Sequence, residues 1–357
     1  MARRAFLHVG APKSGTTFLQ SVLWANKDAL RESGLLLPGT DQFDAFYATM
    51  NVREVGRGTG LPERAADAWE RLVVESQQWD GDVVISHEFF AAATAEQAAA
   101  ACRDLAPAEV HVVMTARDYV SQLPALWQES VKVGAQTSFD RFVDQMLEGR
   151  RRGPLGWGAT DVVAVLDRWG AGLPPHDVHV VTVPQPGARS ELLWERLCEV
   201  LTLDPTGWEI PQTRRNQSLG AVQVEMLRRL NPRLQRPLGR AGAPHYRWIR
   251  RYLAEDILVS HGGRRVGLQP DAAAALRERG ESAVRLILER EWDVVGDLAD
   301  LVAEPLQSGK ADPGQVSTDE LLDAALQTIA ELVDRQRRAD RAMRRRSGDQ
   351  LAAPEKS

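Results

Sequence analysis

The chain has 357 residues, 43% of them hydrophobic, and a formal net charge of −5. Such a length and apolar share suit a soluble α/β domain with insertions and a tail, and the negative balance gives no support to nucleic-acid binding. Cys102 and Cys198 lie far apart, which suggests neither a disulfide framework nor a zinc cluster, and no apolar run reaches the length of a membrane span.

Phe6, Leu7 and Val9 form a short apolar run that reads as a buried parallel strand, and Thr17 to Leu30 carries apolar residues at helical spacing. That first run follows Arg3 and Arg4 but is too short for a signal-peptide core, so a cytoplasmic protein is expected. Leu35 to Pro38 reads as a short strand or an apolar edge, and Asp41 to Gly60 as a mixed connection. Pro62 to Trp79 reads as an amphipathic helix with Ala65, Trp69, Leu72 and Val73 on one side. Valine-rich strands are expected at Asp82 to Ser86, Val110 to Thr115 and Asp177 to Val183. Helices at Ala95 to Leu105, Tyr119 to Val133 and Ser190 to Leu201 alternate with them. This alternation predicts an α/β fold, a parallel sheet flanked by helices, with a ligand at the carboxyl ends of its strands. Gly15, His87 and Arg117 each fall just after such an end.

From Ser218 onward the pattern is mainly helical: Leu219 to Leu230, Tyr246 to Val259 and Asp271 to Trp292, with Asp293 to Leu301 closing against the core. Composition divides the chain into an α/β domain over 1–304, a linker over 305–317, a helical basic extension over 318–346 and a disordered tail over 347–357. The extension starts with Thr-Asp-Glu and ends in RQRRADRAMRRR. Its basic face is either simply solvated, a surface for an anionic partner or membrane, or part of a self-associating coiled coil.

Between the first strand and helix lies GAPKSGTT, Gly10 to Thr17. Gly10 and Gly15 open backbone conformations closed to other residues, so the intervening amides can turn inward around an anion. The following helix adds its free N–H groups and the positive end of its dipole. Lys13 supplies a mobile charge, and Ser14, Thr16 and Thr17 supply hydroxyls. Together they make a phosphate or sulfate cradle. The ordinary P-loop is G-x-x-x-x-G-K-[ST]; here the glycine spacing fits, but Thr16 stands at the lysine position and the lysine lies inside the loop. No acid follows the Asp82 to Ile85 run directly; it ends in Ser86, His87 and Glu88. The pattern favours an anion held by amides, hydroxyls and lysine over a metal-dependent triphosphate site.

P-K-S-G-T-T after a first strand resembles the 5′-phosphosulfate loop of sulfotransferases that use 3′-phosphoadenosine 5′-phosphosulfate (PAPS). The resemblance implies a P-loop-like fold and a donor held by Pro12, Lys13, Ser14, Gly15, Thr16 and Thr17. Lys13 would neutralise the leaving phosphate. VVMTARDYVSQLPALWQESVK resembles the 3′-phosphate element of that family, an arginine ending a strand and a serine eight positions on. Arg117 fits, but the eighth position is Ala125; Ser121, one helical turn along, is the substitute. In such enzymes either a histidine or a glutamate takes the acceptor proton, and His87 and Glu88 stand side by side. His87 is preferred because its ordinary pKa lies nearer operating pH, and the choice between them stays open.

Arg214 or Arg215, in RRNQSLG, replaces the missing R-K-G-x-x-G element over the nucleotide, with His261 to Gly267 as a rival. Trp127, Trp157 and Trp169 are core or adenine-stacking residues, and His8 is a satisfied sheet histidine. The implied chemistry needs no metal. It moves a sulfuryl group to a hydroxyl or amine of an unknown small-molecule, lipid or saccharide acceptor, and Asp41 to Gly60 is either a plain connection or a lining of that acceptor's pocket. Two other readings remain: a P-loop small-molecule kinase, and a non-catalytic nucleotide-binding or scaffold protein whose working part is the C-terminal helix.

Overall fold

Strands form where β-branched and apolar residues run together, because such side chains pack well on a pleated surface covered on both faces. The computed structural model describes residues 1–56, 61–189, 191–211, 218–238, 243–302 and 309–351, without the side chains of 236, 243 and 344–351. Its strands are β1 (Arg4–Gly10), β2 (Leu35–Leu36), β3 (Asp82–Ser86), β4 (Glu109–Ala116), β5 (Val178–Thr182) and β6 (Asp293–Val295). They pair in parallel in the order β2-β3-β1-β4-β5-β6. Leu7 of β1 faces Ile85 on one side and Val112 on the other. On one face Phe6, Val84, Val113 and Val181 pack against Leu19, Val22 and Leu23 of the helix Thr16–Ala25 and Leu193, Trp194 and Leu197 of the helix Leu192–Leu201. The α/β class expected from the alternation is therefore the observed one.

Several elements differ from expectation. The stretch beginning at Asp293 supplies a sixth strand, Val181 pairing with Val295, where only a closing segment was expected; three residues are too few for periodicity to declare a strand. Leu35–Leu36 resolves as a strand. The mixed connection after Asp41 contains the helix Gln42–Val52, started by Asp41, whose carboxylate accepts the Phe43 N–H at 2.8 Å. Residues 57–60 of that connection lie outside the described residues. The helices Phe139–Leu147 and Val162–Trp169 were not anticipated. The helix expected from Ser190 runs Leu192–Leu201, with Ser190 itself outside the described residues.

The chain forms two compact units. The first is Met1–Leu126, Arg141–Asn216 and Leu268–Gln307, and contains the whole sheet. The second is Trp127–Asp140, Gln217–Gly267 and Ser308–Ser357. Its helices include Ala221–Leu238, the wider π-type turns Tyr246–Glu255 and the long Thr318–Leu351. Within it Asn231 donates to the carbonyls of Val131 and Ala135, and His261 meets Glu331 at 2.8 Å. Val266 bridges to Ala311, and Pro313–Gln315 forms a turn. The units thus cut the chain differently from the boundaries at 304 and 317 drawn from composition. The long helix continues to Leu351, past the expected start of the tail at Ser347, and 352–357 lie outside the described residues. Among the described residues no helix is long and apolar enough to cross a membrane.

Candidate functional site

The sheet reverses its winding at β1, with β3 and β2 on one side and β4, β5 and β6 on the other. In a parallel sheet this opens a crevice beyond the carboxyl ends of the central strands, and the Gly10 to Thr17 loop fills it. Gly10 has φ +138° and Gly15 φ +87°. A Cβ at Gly10 would lie 3.1 Å from the Glu88 carbonyl oxygen, and one at Gly15 would overlap Leu193 Cδ2. Lys13 also sits at positive φ, +65°, a sparsely populated conformation for a side-chain-bearing residue.

Four buried polar side chains hold the loop from below. His8 Nδ1 lies 2.8 Å from Ser86 Oγ on β3, and its Nε2 3.3 Å from Thr115 Oγ1 on β4. Thr115 Oγ1 reaches the Gly10 carbonyl at 3.0 Å and Ser14 Oγ at 2.6 Å, while the Ser14 hydroxyl donates to the Ala11 carbonyl. The Ala11 N–H donates to the Thr115 carbonyl at 3.0 Å. Burial pushes the His8 imidazole down to about 4, so it is a neutral bridge across three strands. Ser14 is fully buried, and both its hydroxyl and its N–H point to Ala11. Its side chain therefore closes the loop instead of facing a ligand, which differs from its expected place among the hydroxyl donors.

Pro12 and Thr16 are also buried, Lys13 and Gly15 are half-buried, and Thr17 is exposed. Gly15 precedes the helix Thr16–Ala25 and offers no side chain to cap it. The opening N–H groups have no acceptor in a preceding turn, and the dipole adds positive potential there.

Two further groups clamp the loop. Arg117, one residue beyond β4, donates to the Lys13 carbonyl at 3.3 Å, and the buried Gln122 donates to the Pro12 carbonyl at 2.7 Å. Asp118 turns the other way and caps the helix Tyr119–Lys132, accepting the Ser121 N–H at 2.8 Å. Ser121 is half-buried, and at Ala125 there is no hydroxyl. Arg214 and Arg215, with Asn216, lie outside the described residues.

His87 and Glu88 follow β3 with their side chains close together, His87 Nδ1 lying 3.9 Å from Glu88 Oε2. His87 Nδ1 accepts the Phe89 N–H at 3.1 Å, which puts the ring proton on Nε2. Its ring centroid lies 5.5 Å from that of Phe46, on the helix Gln42–Val52, and 5.1 Å from that of Phe89. Burial lowers its pKa, and the nearby Arg53 guanidinium lowers it further against the pull of Glu88. Glu88 accepts a hydrogen bond from Gln20 of the first helix at 3.0 Å. Burial works to raise this carboxyl, but the His87 ring and the Gln20 amide outweigh it and leave it below the usual range, hence ionised. Its backbone carbonyl is the one that faces Gly10.

Thr115, Gln122, Gln20, Phe46 and Arg53 were missed in sequence. Only Thr115, a polar residue closing an apolar strand, carried a local signal. The tryptophans divide as follows. Trp127 and Trp169 are core residues bonded to the carbonyls of Thr137 and Phe90. Trp157 is half-buried between Tyr119 and the Arg279 guanidinium.

No family model matches the sequence, and neither does any curated protein. Among solved structures the chain is similar to the crystal structure of a sulfotransferase from Alicyclobacillus acidocaldarius. The TM-score is 0.39 and the identity 17%, over 69% of this chain and 100% of that one. A likeness of that size leaves the reading of the site to its own residues.

Proposed function

We propose that the chain is a sulfotransferase that takes a sulfuryl group from PAPS and passes it to a hydroxyl or amine. The observation that carries this reading is the contact of Arg117 with the Lys13 carbonyl. It brings the Arg117 guanidinium, from beyond β4, against the loop that carries Lys13, and a donor with two anionic ends calls for two cations. The amides from Gly15 to Thr17 and the Thr17 hydroxyl receive the 5′-phosphosulfate, and Arg117, with Ser121, the 3′-phosphate. Arg214 and Arg215 keep their proposed part over the nucleotide. The acceptor oxygen attacks sulfur, the bond from sulfur to the bridging oxygen breaks, and the Lys13 ammonium neutralises the charge left on the phosphate.

Glu88 is the proposed proton acceptor. The preference for His87 gives way because its Nδ1 already accepts the Phe89 N–H and its other nitrogen carries the ring proton. An ionised carboxylate tied to the first helix has the lone pairs that role needs. The aromatic faces of Phe46 and Phe89 beside His87 line the acceptor side.

Calorimetry with 3′-phosphoadenosine 5′-phosphate, together with transfer of radiolabelled sulfate from PAPS to a panel of acceptors, tests the reading. The wild type should bind the nucleotide and transfer label; Lys13→Ala, folded by circular dichroism, should lose turnover. Normal transfer by that variant would overturn the role of Lys13. Preference for ATP with magnesium would replace the reading by the kinase one, and binding of neither nucleotide would leave the scaffold reading.

A further inference from the structure

At the amino-terminal end of the same sheet, three histidines and three carboxylates converge. Glu109 opens β4, and His111 is two residues on, hence on the same face. Asp177 and His179 repeat that spacing at the start of β5, and Asp293 opens β6 opposite His179. His111 Nδ1 lies 3.0 Å from His179 Nε2 and 3.6 Å from Asp177 Oδ1. One ligand atom each from Glu109, His111 and Asp177 falls within 4.8 Å of the others. His111, Asp177 and His179 are only 8%, 3% and 6% exposed, while Glu109 and His176 are open to solvent.

Two features show that this is more than a polar seam. Asp177 Oδ1 is buried without a hydrogen-bond partner among the described residues, as is His111 Nε2, and an uncompensated buried carboxylate oxygen is costly. Moreover, His179 Nδ1 lies 2.7 Å from Asp293 Oδ2. The Nδ1 proton is therefore held by that carboxylate, and His179 Nε2 accepts the His111 Nδ1–H, which leaves the lone pair of His111 on its unpartnered Nε2. This is the carboxylate–histidine arrangement that fixes a metal-binding imidazole.

We infer a zinc-class divalent cation site formed by Glu109, His111 and Asp177, with His179 orienting the His111 ring from behind. Imidazole nitrogens select such a cation over magnesium or calcium. The starts of β4 and β5, joined here by the sheet's backbone bonds, are then pinned by one ion, which adds stability to the folded chain. The site lies at the opposite end of the strands from the loop and takes no part in the proposed transfer.

The full chain, stripped with a chelator and titrated with zinc chloride by calorimetry, should bind one ion per chain and melt at a higher temperature with zinc than without. Asp177→Asn should weaken binding by about 10–100-fold and abolish the zinc-dependent rise in melting temperature, and the exposed control Glu63→Gln, on the turn Glu63–Ala65, should change neither. Absence of saturable binding, unaltered binding by Asp177→Asn, or loss in Glu63→Gln would overturn the site. Should Asp177→Asn not fold, cobalt titration of the wild type followed by NMR decides. Ring signals of His111 and His179 should shift, and shifts confined to other histidines would count against it.

Discussion

The two ends of one parallel sheet carry opposite chemistry. At the carboxyl ends, strands hand over to loops, so a helix opening and the residues Lys13 and Arg117 come together at the Gly10 to Thr17 loop. At the amino ends, strands begin, and paired residues at alternate positions bring imidazoles and carboxylates together. Polar groups beneath the loop satisfy one another through His8, Ser86, Thr115 and Ser14. Those at the other end leave a buried oxygen of Asp177 without a hydrogen-bond partner among the described residues. A completed network builds a rigid support, whereas a buried carboxylate oxygen left without a partner favours an added ligand. Breaking one end at a time separates these meanings.

The largest effect is expected at the carboxyl end. Glu88→Gln keeps the side-chain shape and a partner for Gln20 but removes the proposed proton acceptor, and turnover should fall by about 10²–10⁴-fold. Zinc binding at the amino end should be unchanged. Steady-state transfer rates beside calorimetry read both; an active Glu88→Gln would return the role to His87.

Acid probes the support beneath the loop. Because His8 stays neutral in the folded chain down to about 4 while an unfolded histidine protonates near 6.5, the unfolded state binds more protons between these values. The stability His8 contributes is thus complete above pH ~6.5 and is lost as pH falls toward 4, on the order of 3 kcal/mol for a shift of this size. Urea unfolding at stepped pH should show this slope, and a His8→Asn variant should flatten it; equal slopes would place the acid sensitivity elsewhere. Gly15→Ala follows, with a loss of about 2 kcal/mol, since the added methyl strains φ +87° and meets Leu193. Its melting curve and nucleotide affinity should fall together.

The loop and the principal strands were legible because their signals are contiguous: glycines five residues apart around a lysine, and valine runs bounded by turn residues. Contacts between distant residues were not. His8 finds Ser86 78 positions away and Thr115 107 away, and nothing in either segment names the other. The choice between His87 and Glu88 turned on one N–H from Phe89, a tautomer-setting bond that composition does not encode. The short β6 was too brief to read, yet it is what brings Asp293 to His179. Glu109 with His111 and Asp177 with His179 were visible as alternate-residue pairs, but their convergence needed the strand order.

The smallest expected effect is the coupling between the two ends. β4 carries His111 at one end and Thr115 at the other, with Arg117 just beyond, so an ion on His111 and a nucleotide on the loop would share a strand. Sharing a strand is not enough for communication: coupling requires an element with two arrangements that both ligands bias. β4 is hydrogen-bonded to neighbours on both sides and buried from Val110 to Ala116, and a close-packed strand of this kind offers no second arrangement to select. Saturating zinc should therefore change the affinity for 3′-phosphoadenosine 5′-phosphate by less than about twofold, within roughly 0.4 kcal/mol. Calorimetric titrations with and without the ion measure it directly. A tenfold change would mean that the two ends act as one site in energy though not in space, and that β4 has a conformation besides the one described.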